Sequence, residues 1–550
     1  VLKEELEEDA DDFFGEVIIS GAQLTLKDGG RLTNAKRFLI KNGGTLFLDN
    51  SAVAHDDRLG ETAAVDLYAG TLAFDPGDFG AFTQELGRLT LLGGANQIDL
   101  YLGSAAGGLL RAKELWRENN AWLENKWFLT PEPTATLNIN YIGSADSTNV
   151  LFEPNKDLFT WGHGILPWAT ITRDSQVHWV KWEDGASTDF NPLTTYHTGS
   201  PAGWEAEHNV LIDGGTAKLI YNDPGYGDTE INSLKLANGA SLVLETGGDW
   251  QNLLLFSGGL LSTGSTGNQI SGVGSILGLD TLYLHIHGGD LLVSGSIDFW
   301  SGAPIVKTGE GTLRLNGNNV RMLGNSLVIN QGTVAFEQGD RMIFRTVIVG
   351  DGTGTDVLEL PANHTDPITS YDGTDRYPLH IILHGTTHST TPDSGEVDAA
   401  ILRFGGGTVQ HANLLHVEGR GTLDFLGGTD ADGERNMFYL EEFTLADFTT
   451  TLLFIRNWED KSDVLLVRYE GNETKINAQF LSRIRFEGYD PDEGGATAQW
   501  VYWGFDEEGT EYWEIRPFPE PATYGAILGL LGLGLSVWRR WKRGERAQHT

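Results

Sequence analysis

Histidines and carboxylates set the chemical possibilities of this chain. His285 and His287 lie in Leu282-Tyr283-Leu284-His285-Ile286-His287, so in a strand they share one face. Two imidazoles at that spacing are half of a metal site, but a third and fourth ligand are not evident, so hydrogen-bonded or exposed histidines are expected. His380, His384 and His388 are four apart, which would align them on a helix, but Gly385, Thr386, Thr387 and Pro392 argue for strand and loop. Asp430-Ala431-Asp432-Gly433-Glu434 supplies hard oxygens and a turn, part of what a calcium loop needs. The distal bidentate glutamate is absent, so a solvated turn is expected. Cleaving a glycosidic bond takes two carboxylates at fixed separation, and 76 acidic residues single out no pair. No catalytic residue, metal or cofactor is expected.

Other chemistries are excluded more firmly. The chain has no nucleophile elbow, phosphate-binding loop, zinc-protease helix motif or dinucleotide fingerprint. It has no cysteine, which removes disulfides, thiolate catalysis and cysteine-based zinc or iron–sulfur sites. A formal net charge of −38 repels nucleic acid. Trp161, Trp168, Trp179, Trp182 and Trp204 offer a sugar-stacking platform on paper. Core and loop anchoring is the expected role, since tryptophan is largely buried on average.

The elements that must position these groups are short strands. The 71 glycines are spread along the chain and point to a turn-rich all-β architecture. One phrase keeps returning: Gly44-Thr45-Leu46-Phe47-Leu48, Gly70-Thr71-Leu72-Ala73-Phe74, Gly311-Thr312-Leu313-Arg314-Leu315, Gly332-Thr333-Val334-Ala335-Phe336 and Gly421-Thr422-Leu423-Asp424-Phe425. Apolar side chains fall at every second position, so one face is buried and one is wet. Thr312 and Thr333 are about 21 residues apart, one coil of a β-solenoid whose stacked coils bury a core that no single repeat could bury. The layout expected is β-solenoid coils over 1–110, a less regular insertion with one helix over 111–205, and solenoid again over 206–479. A C-terminal cap over 480–516 and a tail over 517–550 complete it. The helix is predicted from Leu109 to Leu129, where helix formers carry apolar residues near helical spacing.

The tail has three parts in order. Pro519-Glu520-Pro521 comes first, then the uncharged stretch Ala522 to Trp538, then Arg539, Arg540, Lys542 and Arg543. The uncharged stretch would be about 25 Å long as a helix at roughly 1.5 Å per residue, a little short of a hydrocarbon core of about 30 Å. Trp538 and Trp541 at headgroup level and snorkelling arginines make up the difference. This arrangement resembles the PEP-CTERM sorting signal. The resemblance implies recognition of Pro519, Glu520 and Pro521 by an exosortase, a membrane-embedded enzyme, with the four cations as the membrane stop. A second Pro-Glu-Pro, at Pro131-Glu132-Pro133, has no apolar span after it and reads as a chance loop. The stretch Val306 to Asn319, completed by Leu327 to Phe336, resembles the autotransporter-associated β-strand repeat of bacterial surface proteins. That family's C-terminal membrane β-barrel has no counterpart here. The segment Phe480 to Trp513 resembles the ending that often precedes this sorting signal.

These readings combine into an all-β chain: a parallel β-helix or β-solenoid ectodomain with a single C-terminal transmembrane helix. The positive-inside bias puts the basic tail in the cytoplasm and the acidic bulk outside it. That topology needs an export signal, and Val1 to Glu16 is acidic instead, so the chain is expected to have been processed or truncated at its start. The expected protein is an exosortase-sorted, non-catalytic surface or extracellular-matrix protein, structural or adhesive. It begins as an inner-membrane-anchored precursor and ends at the cell surface or secreted, with extracellular polysaccharide as a partner to consider. The alternative is a secreted β-helix polysaccharide lyase or glycoside hydrolase. An enzyme should carry a groove of carboxylates, basic residues and aromatics on one solenoid face.

Overall fold

A computed structural model describes residues 13–517, except 54, 79–81, 103–107, 119–133, 144–148, 153–163, 182–189, 221–227, 246–251, 280, 300–302, 317–320, 324–325, 339–340, 371–377, 387–398, 427–434, 460–461, 488–495 and 507. The described chain is nearly all strand, with parallel pairing throughout most of its length. Among the described residues no helix is long and apolar enough to cross a membrane. The sorting motif, the apolar span and its basic stop, the second Pro-Glu-Pro and the Asp430–Glu434 turn lie outside the described residues.

The recurring phrase is the unit from which the coils are built. Thr45, Leu46 and Leu48 pair in parallel register with Thr71, Leu72 and Phe74. Thr312, Leu313 and Leu315 pair with Thr333, Val334 and Phe336, as the 21-residue spacing predicts. Each second residue points inward, and Leu313, Val334, Leu358, Leu402, Leu423, Ile455 and Phe486 stack into one fully buried column. The interval from Leu358 to Leu402 is longer than its neighbours, yet the register holds. The leading glycine is required by space. A Cβ at Gly44 would lie 2.4 Å from the carbonyl oxygen of Ile19, and one at Gly70 would lie 2.6 Å from that of Ile40. The corner between two faces brings the backbone of the preceding coil too close for a side chain.

Two such solenoids are present. In the first, one sheet runs through Glu16–Ser20, Arg37–Lys41, Ala64–Tyr68, Arg88–Gly93 and Leu115–Arg117. A second sheet runs from Gln23–Leu26 through Thr45–Asp49, Thr71–Asp75, Ala95–Tyr101 and Thr136–Ile142 to Ile165–Arg173. Phe82–Leu86, Gly108–Ala112 and Asn149–Phe152 form a third. The helix predicted from Leu109 is therefore replaced, over its described part, by the strands Gly108–Ala112 and Leu115–Arg117. Stacking overrides local propensity there: Leu110, Ala112 and Leu115 fill the inner columns beneath Gln84, Leu86 and Leu89. Much of what reads as an irregular insertion continues the second sheet instead, since Thr136–Ile142 pairs in parallel with Ala95–Tyr101.

The second solenoid runs from Asn209–Asp213 to Glu511–Pro517. Trp204 covers its first coil, donating from its indole N–H to the Gly199 carbonyl at 3.1 Å. At the far end Ala496–Phe505 and Glu511–Pro517 form an antiparallel hairpin that pairs with Ile484–Phe486 and Asp463–Arg468. Trp500, Trp513 and Tyr469 pack together over this end, with ring centroids 5.1 Å apart for Trp500–Trp513 and for Tyr469–Trp513. The hairpin gives the last parallel strands partners and so removes two open edges.

The solenoids lie side by side and share a face. Tyr283, Val306, Val328, Ile348 and Ile382 point out of the second solenoid and belong to the hydrophobic cluster of the first. Polar contacts pin the seam. Arg117 donates to the Tyr283 hydroxyl at 2.7 Å and lies 4.5 Å over the Trp168 ring. Asn330 donates to the Thr134 carbonyl at 2.9 Å, and the Ala95 N–H donates to Asp351 at 2.7 Å. The Tyr68 hydroxyl is hydrogen-bonded to Nδ1 of His384 at 3.0 Å.

Candidate functional site

The residues picked out in the sequence are distributed rather than assembled. His285 is buried in the seam, where its Nε2 is 3.0 Å from the Pro167 carbonyl and its ring meets Trp179 edge-on at 5.2 Å. Burial pushes its pKa down to about 3. His287 faces Glu310 instead, at 3.2 Å, and that hydrogen bond pulls the Glu310 carboxyl down to about 2. The two rings share a face but have different partners, and among the described residues no group of three metal-ligating side chains forms. His380 and His384 fall on one strand, His380–His384, and His388 lies outside the described residues. Trp168, Trp179 and Trp204 are buried, which is the anchoring role and not a platform. Trp161 and Trp182 lie outside the described residues.

A groove that the sequence did not reveal lies on the second solenoid, with a volume of about 1030 Å³. Three successive coils and the tip of the terminal hairpin line it. The first coil brings Asp366, in left-handed backbone at φ +51°, followed by Ile368–Thr369. The second brings His411 and Asn413 from Val409–Glu418, and the third brings Tyr439 and Glu441 from Asn436–Leu445. Parallel register sets His411 directly against Tyr439. The hairpin tip adds Asp506, Glu508 and Tyr512.

The floor is rigid for a stated reason. Gln410 is fully buried, accepts from the Ile368 N–H at 3.1 Å and donates to the Ile368 carbonyl at 2.9 Å. Asn413 accepts from the Leu379 N–H at 2.9 Å. Above this floor the rings of His411 and Tyr439 stack at 4.5 Å, nearly parallel at 11°. Tyr512 meets Tyr439 edge-on at 5.6 Å. Asp366 accepts from both the backbone N–H of His411, at 2.8 Å, and its Nδ1, at 2.9 Å.

Glu441 and Asp506 already have partners that fix them. Arg468 donates to Glu441 at 2.8 Å and to Glu470 at 2.7 Å, and these bonds raise its already high pKa. Asp506 accepts from the N–H groups of Glu508 and Thr510, at 2.9 and 2.7 Å, and holds the hairpin turn. Burial, and then the Asp506 carboxylate, raises the Tyr439 hydroxyl. Burial, Glu441 and Asp506 raise Tyr512. Both phenols are therefore neutral donors. General-acid catalysis needs a carboxyl held protonated, usually by burial. The side chains of Asp366 and Glu441 are 39 % and 38 % exposed, and they lie against His411 and Arg468. The arrangement offers hydrogen-bond acceptors and aromatic faces in a fixed geometry.

The groove is invisible in the sequence because its parts come from distant coils. Asp366, His411 and Tyr439 belong to intervals of unequal length, and only the strand register shows that they are neighbours. The available signal was the outward position of His411 and Tyr439 in two strands of alternating pattern. No protein-family model matches this chain, and neither a curated protein nor a solved structure matches it.

Proposed function

We propose that this chain is an exported, non-catalytic surface or extracellular-matrix protein, delivered by an exosortase-type enzyme that reads Pro519, Glu520 and Pro521. In this reading residues 522–538 form a single transmembrane helix, stopped by Arg539, Arg540, Lys542 and Arg543. The precursor sits in the inner membrane with its solenoids outside the cytoplasm, and processing sends the protein to the cell surface or releases it. The observation that supports this best is where the last described strand lies. It ends at Pro517, paired into the terminal hairpin, and the Pro-Glu-Pro motif begins two residues later. The test is the mature C-terminus by mass spectrometry, in hosts with and without the sorting enzyme. Loss of Trp538 and the basic end only where the enzyme is present is the expected result. Retention in both hosts would rule the reading out.

The groove favours a second reading, a polysaccharide lyase or glycoside hydrolase, since carboxylates and aromatics do cluster on one solenoid face. Incubation with acidic and neutral glycans, monitored for new reducing ends or unsaturated products, separates the two.

A further inference from the structure

The lining of the groove is chemically one-sided. Asp366, Glu441, Asp506 and Glu508 line it, and among the described residues no lysine or arginine does. The nearest cation described beneath it, Arg468, is committed to Glu441 and Glu470. A ligand entering this space meets four carboxylates, of which Glu441 is paired to an arginine, on a molecule that already carries −38. Anionic polymers such as polyuronates are repelled, and cationic ones are drawn in.

The aromatic stack narrows the ligand further. His411, half exposed at 51 % of its side chain, is the open end of the His411–Tyr439 pile. Flat rings held on a rigid floor suit the C–H faces of sugars, and an ammonium group also gains from a tyrosine face. The groove crosses successive coils, each displaced by about 4.8 Å along the solenoid. That rise is close to the length of one pyranose in an extended chain. Thr365, Thr369 and Ser370 line the same coil as Asp366.

We propose that this groove binds an extended polysaccharide whose sugars carry free amino groups, with a ring face on His411, which Tyr439 backs, and ammonium groups on the rim carboxylates. No bond is made or broken. The site is independent of how the chain is sorted, so failure of the sorting experiment leaves it standing, and the reverse also holds.

The test is calorimetric titration of the full chain with a β-1,4-linked glucosamine hexamer, its N-acetylated counterpart and a galacturonate oligomer. The glucosamine hexamer should bind at least about tenfold more tightly than the acetylated one. Its affinity should fall at least about tenfold between roughly 50 mM and 500 mM salt, and the galacturonate oligomer should not bind. Tyr439→Ala should weaken the hexamer at least about tenfold, and Tyr439→Phe should retain binding. Glu508→Gln, on an exposed turn where loss of fold is not a concern, should weaken it severalfold and flatten the salt dependence. Equal affinity for the amine and acetylated chains overturns the proposal, as does absence of hexamer binding. So does binding that both Tyr439→Ala and Glu508→Gln leave unchanged.

Discussion

Single residues carry opposing charge costs inside this protein. Lys307 occupies an inward position between Leu284 and Ile329 in a column that is otherwise apolar. Burial lowers its pKa to about 7, while its Nζ donates to the carbonyls of Gly309, Gly311 and Gln331, which match the three N–H donors of the charged form. In the seam two groups work in opposite directions. His285 falls from 6.5 to about 3, mainly through burial and then His287. The unfolded chain therefore takes up a proton that the folded chain refuses, and this contribution is complete above 6.5 and lost as pH falls toward 3. Burial raises Asp351 from 3.8 to about 7, so its contribution is complete below 3.8 and lost as pH rises through about 7. From about pH 4 to 6.5 these two slopes offset each other. His285→Phe keeps a ring against Trp179 and leaves Asp351 unopposed, so its urea midpoint should fall as pH rises from about 4 to 7. A level profile in the variant would show that these two groups do not govern the seam.

At the scale of the element, the corner glycine decides whether a coil can stack. Gly70→Ala would press a methyl carbon toward the Ile40 carbonyl at 2.6 Å, against backbone that cannot swing away. The expected loss is about 1–3 kcal/mol by chemical denaturation. Gly203→Ala, in a turn with nothing within 4 Å of its Cβ, should change stability by no more than about 0.5 kcal/mol. Equal effects at the two sites would refute the steric account of the repeat. The same logic explains the one element misjudged from sequence. Residues 109–117 have helix-forming composition, but their apolar side chains also fit the inner columns, and cross-coil hydrogen bonds outweigh a propensity worth tenths of a kcal/mol per residue.

The whole molecule depends on the shared face between the solenoids. Three strands of the second solenoid contain the runs Leu327-Val328-Ile329, Val347-Ile348-Val349 and Ile381-Ile382-Leu383, buried on both sides. Their outer residues fill their own core, and the middle ones pack into the first solenoid. Expressed alone, residues 206–517 would leave that apolar face uncovered, so this half should aggregate. Co-expression with residues 13–205 should recover a soluble one-to-one complex by size-exclusion chromatography. A monodisperse lone half would mean that the seam contributes little.

The repeat phrase, its inward columns and the 21-residue coil were legible in the sequence because they depend on neighbours in the chain: a glycine at a corner, then alternation along a strand. The continuous apolar runs that the seam covers depart from that alternation. What covers them had no local signature. Docking of the two solenoids, the separate partners of His285 and His287, and the groove at Asp366, His411 and Tyr439 were decided only by tertiary structure. Outward side chains become neighbours through strand register, and register is set by how loops of unequal length return the chain to the ladder.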